Sequence, residues 1–300
     1  MNRSPMARKE AGNVLVYDIG GSHISAATCH LGDFTLSPVA SATHPTEQTF
    51  DVFLGLLHSL GSEASNGVEG TLGAQLAVPG PFDLAAGVSG MRHKLPYLYG
   101  MDLRSPLAAC FGWRPERIQF INDADAFLLG EMGTGACQNS ARAVGITLGT
   151  GVGSAFGVNG HVVTEGKGVP SGGEICNLPY GNRTVEDFVS SRAILRSYEC
   201  RAGKPRLVAE LATIAEEDPL AKECFIEFGR HLGRVMHSIL SEFAPSDVVL
   251  GGSISRSAHL FLPAAQSESD GLGARLRVST LLYRAALVGA GVAWSAKFNN

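Results

Sequence analysis

Short apolar runs and glycine turns alternate through the first forty residues. Val14 to Ile19 and Ile24 to His30 are β-rich runs separated by Gly20-Gly21-Ser22, and a third run near Phe34 to Val39 follows the turn at Gly32-Asp33. Their spacing predicts an antiparallel meander. From Phe50 to Leu60 the period changes, with Phe50, Phe53, Leu54 and Leu57 on one helical face. Thr71 to Val78 reads as a strand stopped by Pro79-Gly80-Pro81. Ile118 to Ile121 reads as a short buried strand running into Asn122-Asp123, with a helix from Ala124 to Met132. The second half repeats the plan with a glycine-hinged meander from Ala143 to Val163 and a glycine-rich loop. Thr184 and Asp187 have the spacing of a capping box, opening a helix through Tyr198. Asp218 to Phe243 is long enough for one long helix or two in sequence, Asp247 to Leu250 is a strand leading into Gly251-Gly252, and residues 283–297 form a last, alanine-rich helix. Meander, helix, strand, helix, given twice, is a mixed α/β plan. Short turns between the first strands of each half exclude an all-parallel sheet or an alternating βα barrel.

The repetition extends to individual residues. Placing Asp18 on Thr147 puts Gly20 on Gly149, Ser25 on Ser154 and Ala26 on Ala155. Glycine in such a turn lets the backbone take positive φ and aim its N–H groups at a ligand held close. One glycine turn alone is ordinary turn chemistry. Two matched copies, Gly20-Gly21-Ser22 and Gly149-Thr150-Gly151, point to a grip on one polyphosphate from both sides.

Composition narrows the partners. The chain has 300 residues, 45% apolar and 17% charged, as expected of a soluble globular protein of two domains. A net charge of −4 and the lack of a basic stripe argue against nucleic acid. No apolar run approaches the roughly 18 residues of a membrane span, and Met1 to Gly12 lacks the apolar core of a signal peptide, so no membrane association and a cytoplasmic location are expected. Six scattered cysteines without a C-x-x-C pair indicate neither a disulfide framework nor a cysteine metal site.

Common nucleotide and metalloprotease signatures are absent: there is no G-x-x-x-x-G-K-[ST], no G-x-G-x-x-G and no H-E-x-x-H. Asp18, at a strand end, suits either a hydrated magnesium ion near phosphates or an Asx turn. Asn122-Asp123 sits where a strand meets a helix. Capping explains such a pair, and so does chemistry: a carboxylate that accepts an alcohol proton beside an amide that bonds neighbouring hydroxyls. Phosphoryl transfer to an alcohol needs that base together with a positioned magnesium nucleotide.

The residues Asp18-Ile-Gly-Gly-Ser22, Val78-Pro-Gly-Pro81, Asn122-Asp-Ala-Asp-Ala126, Leu148-Gly-Thr-Gly-Val-Gly153, Gly173-Glu174 and Val249-Leu-Gly-Gly-Ser253 appear in this order. Together they make the chain resemble the ROK family of sugar kinases and sugar-responsive repressors, within the actin, sugar kinase and heat-shock ATPase superfamily. The resemblance implies a duplicated ribonuclease H-like (actin-like ATPase) α/β fold with two domains around a cleft. It places a disordered tail at 1–12, a smaller N-terminal domain at 13–123 plus 284–300, and a larger one at 124–283. It implies that Asp123 is the catalytic base, that Asn122, Glu174 and Glu186 bind sugar hydroxyls, and that Gly80 belongs to the loop lining the sugar pocket. Asp18, Gly20, Gly21, Ser22, Gly149, Thr150 and Gly151 would hold the nucleotide phosphates with Mg2+, and Gly251-Gly252 would lie under the adenosine of ATP. A homodimer is implied as well.

Two departures from the family matter. Many members continue Glu-x-Gly-His into a zinc-binding loop C-x-C-G-x-x-G-C, whereas this chain reads Glu174-Ile-Cys-Asn177 with no cysteine between there and Glu186. No structural zinc is expected, and Asn177 stands where the histidine bonds sugar. Lys94 occupies the position of an asparagine just before Leu95-Pro96, which suits either a solvent-facing lysine or a substrate with an anionic or N-acyl group. The expected activity is ATP-dependent phosphorylation of a hexose hydroxyl, glucokinase-like. The alternatives are fructose, mannose or an N-acetylated hexosamine as acceptor, polyphosphate as donor, or a sugar-binding regulator without catalysis. Repressors of the family carry an N-terminal helix-turn-helix, and only about a dozen residues precede Val14, which together with Asp123 favours the enzyme.

Overall fold

The computed structural model describes residues 12–45, 47–92 and 94–298, so the expected tail lies outside the described residues apart from Gly12. The described residues up to Ala126 and from Ala286 onward form one compact unit, and Phe127–Ala285 form another. The first unit opens with the antiparallel meander β1 (Asn13–Ile19), β2 (His23–His30) and β3 (Ala40–Thr43), followed by α1 (Phe50–Ala64) and β4 (Thr71–Val78). A small hairpin of β5 (Phe82–Asp83) and β6 (Val88–Ser89), then α2 (Arg104–Cys110) and β7 (Ile118–Asn122), lead to α3 (Asp123–Gly133), within which the chain passes to the second unit. There, β8 (Arg142–Leu148), β9 (Val152–Val158) and β10 (His161–Val163) form a second meander. The hairpin of β11 (Pro179–Tyr180) and β12 (Arg183–Thr184) precedes α4 (Val185–Phe188), α5 (Ser191–Ala202), α6 (Val208–Ile214) and α7 (Pro219–Leu240). The unit closes with β13 (Asp247–Gly251), α8 (Ala258–Glu268) and β14 (Arg275–Val278), and α9 (Ala285–Phe298) returns to the first unit.

The two five-stranded sheets share one topology, β3-β2-β1-β4-β7 and β10-β9-β8-β13-β14. In each, the first three strands are antiparallel and the last two are parallel to the first. β1 is buried on both faces, which is why Val14 to Tyr17 reads as an unbroken apolar run. Leu15, Tyr17 and Ile19 pack with Phe53 and Leu57 of α1, while Val14 and Val16 pack with Leu287, Ala290 and Trp294 of α9. In the second unit α5, α7 and α8 cover one sheet face through Ile194, Phe225, Phe228 and Phe261. α3 lies across β8, β9 and β13 at glycines. A Cβ added to Gly145 would stand 3.1 Å from Leu128, one on Gly157 2.5 Å from Met132, and one on Gly251 2.3 Å from Phe127.

Three sequence expectations shift. The third strand begins at Ala40, not near Phe34, because Phe34 takes φ +58°, Asp33 Oδ1 accepts from Thr35 N at 3.1 Å, and Pro38 has no N–H to give. The helix expected from Thr184 through Tyr198 is two: the capping box of Thr184 and Asp187 is formed, but extended Ser190 separates α4 from α5. Ser191 N donates to Gly149 O at 2.8 Å instead of continuing the helix. The duplicated turns also differ by one residue. Ile19 pairs with Ile24, leaving four residues between, whereas Leu148 pairs with Val152, leaving three. Asp218 to Phe243 resolves into the single helix α7, capped by Asp218 Oδ1 on Leu220 N at 2.9 Å. Among the described residues no helix is long and apolar enough to cross a membrane.

Gly252 is a position where backbone conformation and packing both demand glycine. It takes φ +81° and ψ 177°, a region essentially closed to side chains, and an added Cβ would fall 2.3 Å from Leu148 O. Gly252→Ala is expected to lower stability by about 2 kcal/mol or more, read as a lower urea midpoint at unchanged slope.

Candidate active site

In the first unit, parallel pairing brings three carboxyl ends together. Asp18 of β1 is in register with Ala77 of β4, and Val78 of β4 with Asn122 of β7, so Asp18, Gly80 and Asn122-Asp123 all follow the same sheet edge. Ligands of open α/β sheets bind at such edges. Asn122 fulfils the capping expectation, its Oδ1 accepting from Ala124 N at 2.9 Å and Asp125 N at 3.3 Å. Its amide nitrogen lies 3.9 Å from the point where a Cβ on Gly80 would stand, so Asn122 and Gly80 meet. Asp123 opens α3, with Oδ1 accepting from Ala124 N at 2.9 Å. Burial, with the nearby Asp123 charge second, pushes the Asp18 carboxyl up to about 7. Lys94 is exposed.

His44, which sequence reasoning missed, braces the first glycine turn. Its Nε2–H donates to Gly20 O at 3.0 Å and its backbone N–H to Ser22 O at 3.0 Å. Tyr97 OH donates to Nδ1 at 3.2 Å, which fixes the tautomer. A histidine in a loop after a short strand carries no periodic signal.

In the second unit the Gly149-Thr150-Gly151 turn is held from below. Glu186 Oε2 accepts from Val152 N at 3.1 Å, and Ser191 N reaches Gly149 O. Gly251 is in register with Thr147, and Ser253 Oγ lies 3.9 Å from a Cβ placed on Gly149, so the end of β13 abuts this turn. Ser154 Oγ donates to Gly173 O at 2.7 Å and accepts from Ile175 N at 3.0 Å, clamping the segment that presents Glu174. Burial first, then the charges of Glu174 and Glu186, raise the Cys176 thiol, and Glu186 N donates to Cys176 O at 3.0 Å. Glu174, Cys176 and Glu186 therefore converge, with exposed Asn177 next along the chain. Among the described residues no three His, Cys, Asp or Glu side chains form a metal cage.

The glycines of the turns are not there for left-handed backbone: none of Gly20, Gly21, Gly149 and Gly151 takes positive φ. Packing explains Gly151, whose added Cβ would stand 2.4 Å from Glu186 Oε2, and Gly251 and Gly252 are excluded from substitution by Phe127 and Leu148. Gly21 is different, since nothing stands within 4 Å of its added Cβ. Its missing side chain leaves room for a close-lying ligand. Ser190 Oγ, one residue from the N–H that holds Gly149, is buried without a hydrogen-bond partner. In the first unit the open space at Gly21 has room for a close-lying phosphate, and in the second unit the orphaned Ser190 hydroxyl leaves a polar group beside the Gly149 turn.

The ROK family model matches residues 14–279. An N-acetyl-D-glucosamine kinase of Vibrio cholerae is 28% identical over 262 residues, covering 80% of this chain and 83% of the relative. A glucokinase of Thermotoga maritima is 27% identical over 282 residues, covering 84% and 86%. Among solved structures, a ROK family glucokinase from Streptomyces griseus in complex with glucose and AMPPNP superposes with a TM-score of 0.78 at 21% identity, over 93% of this chain and 98% of that one.

The raised Asp18 carboxyl has a stability consequence. A carboxyl titrating near 7 when folded and near 4 when unfolded favours the folded state fully below about pH 4, and that contribution is lost as pH rises through 7. Asp18→Asn is expected to stabilise the ligand-free protein relative to wild type at pH 8 more than at pH 5, measured by urea denaturation at both values.

Proposed function

The chain belongs to the ROK family, and from that premise we propose that it is an ATP-dependent sugar kinase that phosphorylates a hexose hydroxyl with Asp123 as general base. The observation that carries this reading is the shared edge of β1, β4 and β7, where Asp123 stands beside Asn122, with Gly80 against the amide and Asp18 within electrostatic reach. Bound ATP with its magnesium ion supplies the γ-phosphoryl group and neutralises its charge. Asp123 accepts the proton of the attacking hydroxyl as the new O–P bond forms and the bond from the γ-phosphorus to the β–γ bridging oxygen breaks, ADP leaving with that oxygen, and Asn122 Nδ2 donates to a neighbouring hydroxyl and fixes the sugar's orientation. Glu174, Asn177 and Glu186 complete the sugar contacts, Gly80 lining the pocket. Gly20 and Gly149 close the two turns, their own N–H groups donating to His23 O at 2.8 Å and Gly151 O at 3.0 Å, so Gly21, Ser22, Thr150 and Gly151 would offer backbone N–H groups to phosphates, Gly251-Gly252 would lie under the adenosine, and Asp18 would orient the hydrated magnesium. The family reading also carries a cytoplasmic homodimer.

Glucose is the first acceptor on this reading. An N-acetylated hexosamine is the second, favoured by the Vibrio cholerae relative, whereas the exposure of Lys94 fits its solvent-facing reading. Asp123→Ala is expected to lower kcat by about 100- to 10,000-fold while sugar affinity, measured by calorimetry, changes only a few-fold. Undiminished turnover in that variant would remove Asp123 from the role of base. A regulator that binds sugar without turnover would show no activity for the substitution to remove.

A further inference from the structure

Glu186 meets the second glycine turn as an anion. Its Oε2 accepts from Val152 N and lies 2.4 Å from where a Cβ on Gly151 would stand. A polyphosphate on that turn would face a like charge at close range. The compensating cation is Arg192, whose Nη2 donates to Glu186 Oε1. Arg192 is the second residue of α5, and the residue before it ties that helix to the turn through Ser191 N and Gly149 O at 2.8 Å. The guanidinium is thus held one carboxylate away from the turn's backbone, on a side chain that is 62% exposed and free to re-aim. The next arginine on the helix, Arg196, is committed elsewhere, donating to Asp187 O.

We propose that Arg192 is a ligand for the terminal phosphates of the donor, exchanging Glu186 Oε1 for phosphate oxygens when the donor arrives. A guanidinium suits this exchange because its planar fork matches carboxylate and phosphate alike. The exchange releases Glu186 Oε1 to accept from an acceptor hydroxyl, so the pair couples donor binding to acceptor binding. This assignment rests on the kinase reading and adds a residue to it.

The test compares a non-hydrolysable ATP analogue with AMP by calorimetry, using the full chain with magnesium. Arg192→Ala is expected to weaken the analogue about tenfold or more, roughly the value of a lost charge-assisted hydrogen bond, and to leave AMP within about twofold. Arg192→Lys is expected to recover only part of the loss, because it keeps the charge without the fork. Glu186→Gln is expected to hold or improve analogue affinity while weakening the sugar. Equal affinity of wild type and Arg192→Ala for the analogue overturns the proposal, as does an equal loss for AMP and analogue, which would mark Arg192 as a structural partner of Glu186. If wild type binds neither nucleotide, the kinase reading itself fails and the arginine's role fails with it.

Discussion

Strands β1, β4 and β7 are far apart in the chain, yet they end together because each hydrogen-bonds its neighbour in parallel, and Asp18, Gly80 and Asn122-Asp123 follow those ends directly. Antiparallel pairing would send alternate ends to opposite edges and scatter these residues. The second sheet uses the same device. β8 and β13 run parallel, so the Gly149 turn and Gly251-Gly252 share an edge. Slipping either register by one residue would carry each side chain to the opposite face of its sheet, and in β1 the different packing partners on the two faces, α1 and α9, fix the register.

That frame lets the protein hold groups that oppose one another. Burial first, and repulsion from Asp123 second, push the Asp18 carboxyl up to about 7. Glu186 is pressed against the glycine turn and answered by Arg192. Such arrangements weaken the free protein and are the kind a cationic or anionic ligand relieves. Around them the loops are tied by polar contacts to rigid elements: His44 to Gly20, Ser154 to Gly173 and Ile175, Ser191 to Gly149.

The strands and most helices were legible because apolar runs and their periods are local. Thr71–Val78 matches its expected bounds, and α1, α3 and α9 lie within a few residues of theirs. The misplaced third strand turned on a left-handed Phe34 that no periodicity marks, and the break at Ser190 on a hydrogen bond to Gly149, distant in sequence. The one-residue difference between the duplicated turns is likewise a matter of pairing register. In the site, the paired motifs lie at the ends of strands paired in parallel. They gave the wrong reason for the turn glycines: sequence shows that a side chain is missing, and only packing shows whether Glu186, Phe127, Leu148 or open space stands in its place. His44 and Arg192 escaped notice because their partners are backbone and carboxylate atoms brought near by folding.

The central claim is that these residues make a kinase that acts on a sugar. Incubating the protein with magnesium ATP and a panel of hexoses and N-acetylated hexosamines, while following ADP release, tests it most directly. The account predicts ADP release well above the sugar-free rate with at least one of them, accompanied by a phosphorylated sugar of the expected mass. A rate equal to the sugar-free background with every member of the panel would contradict it.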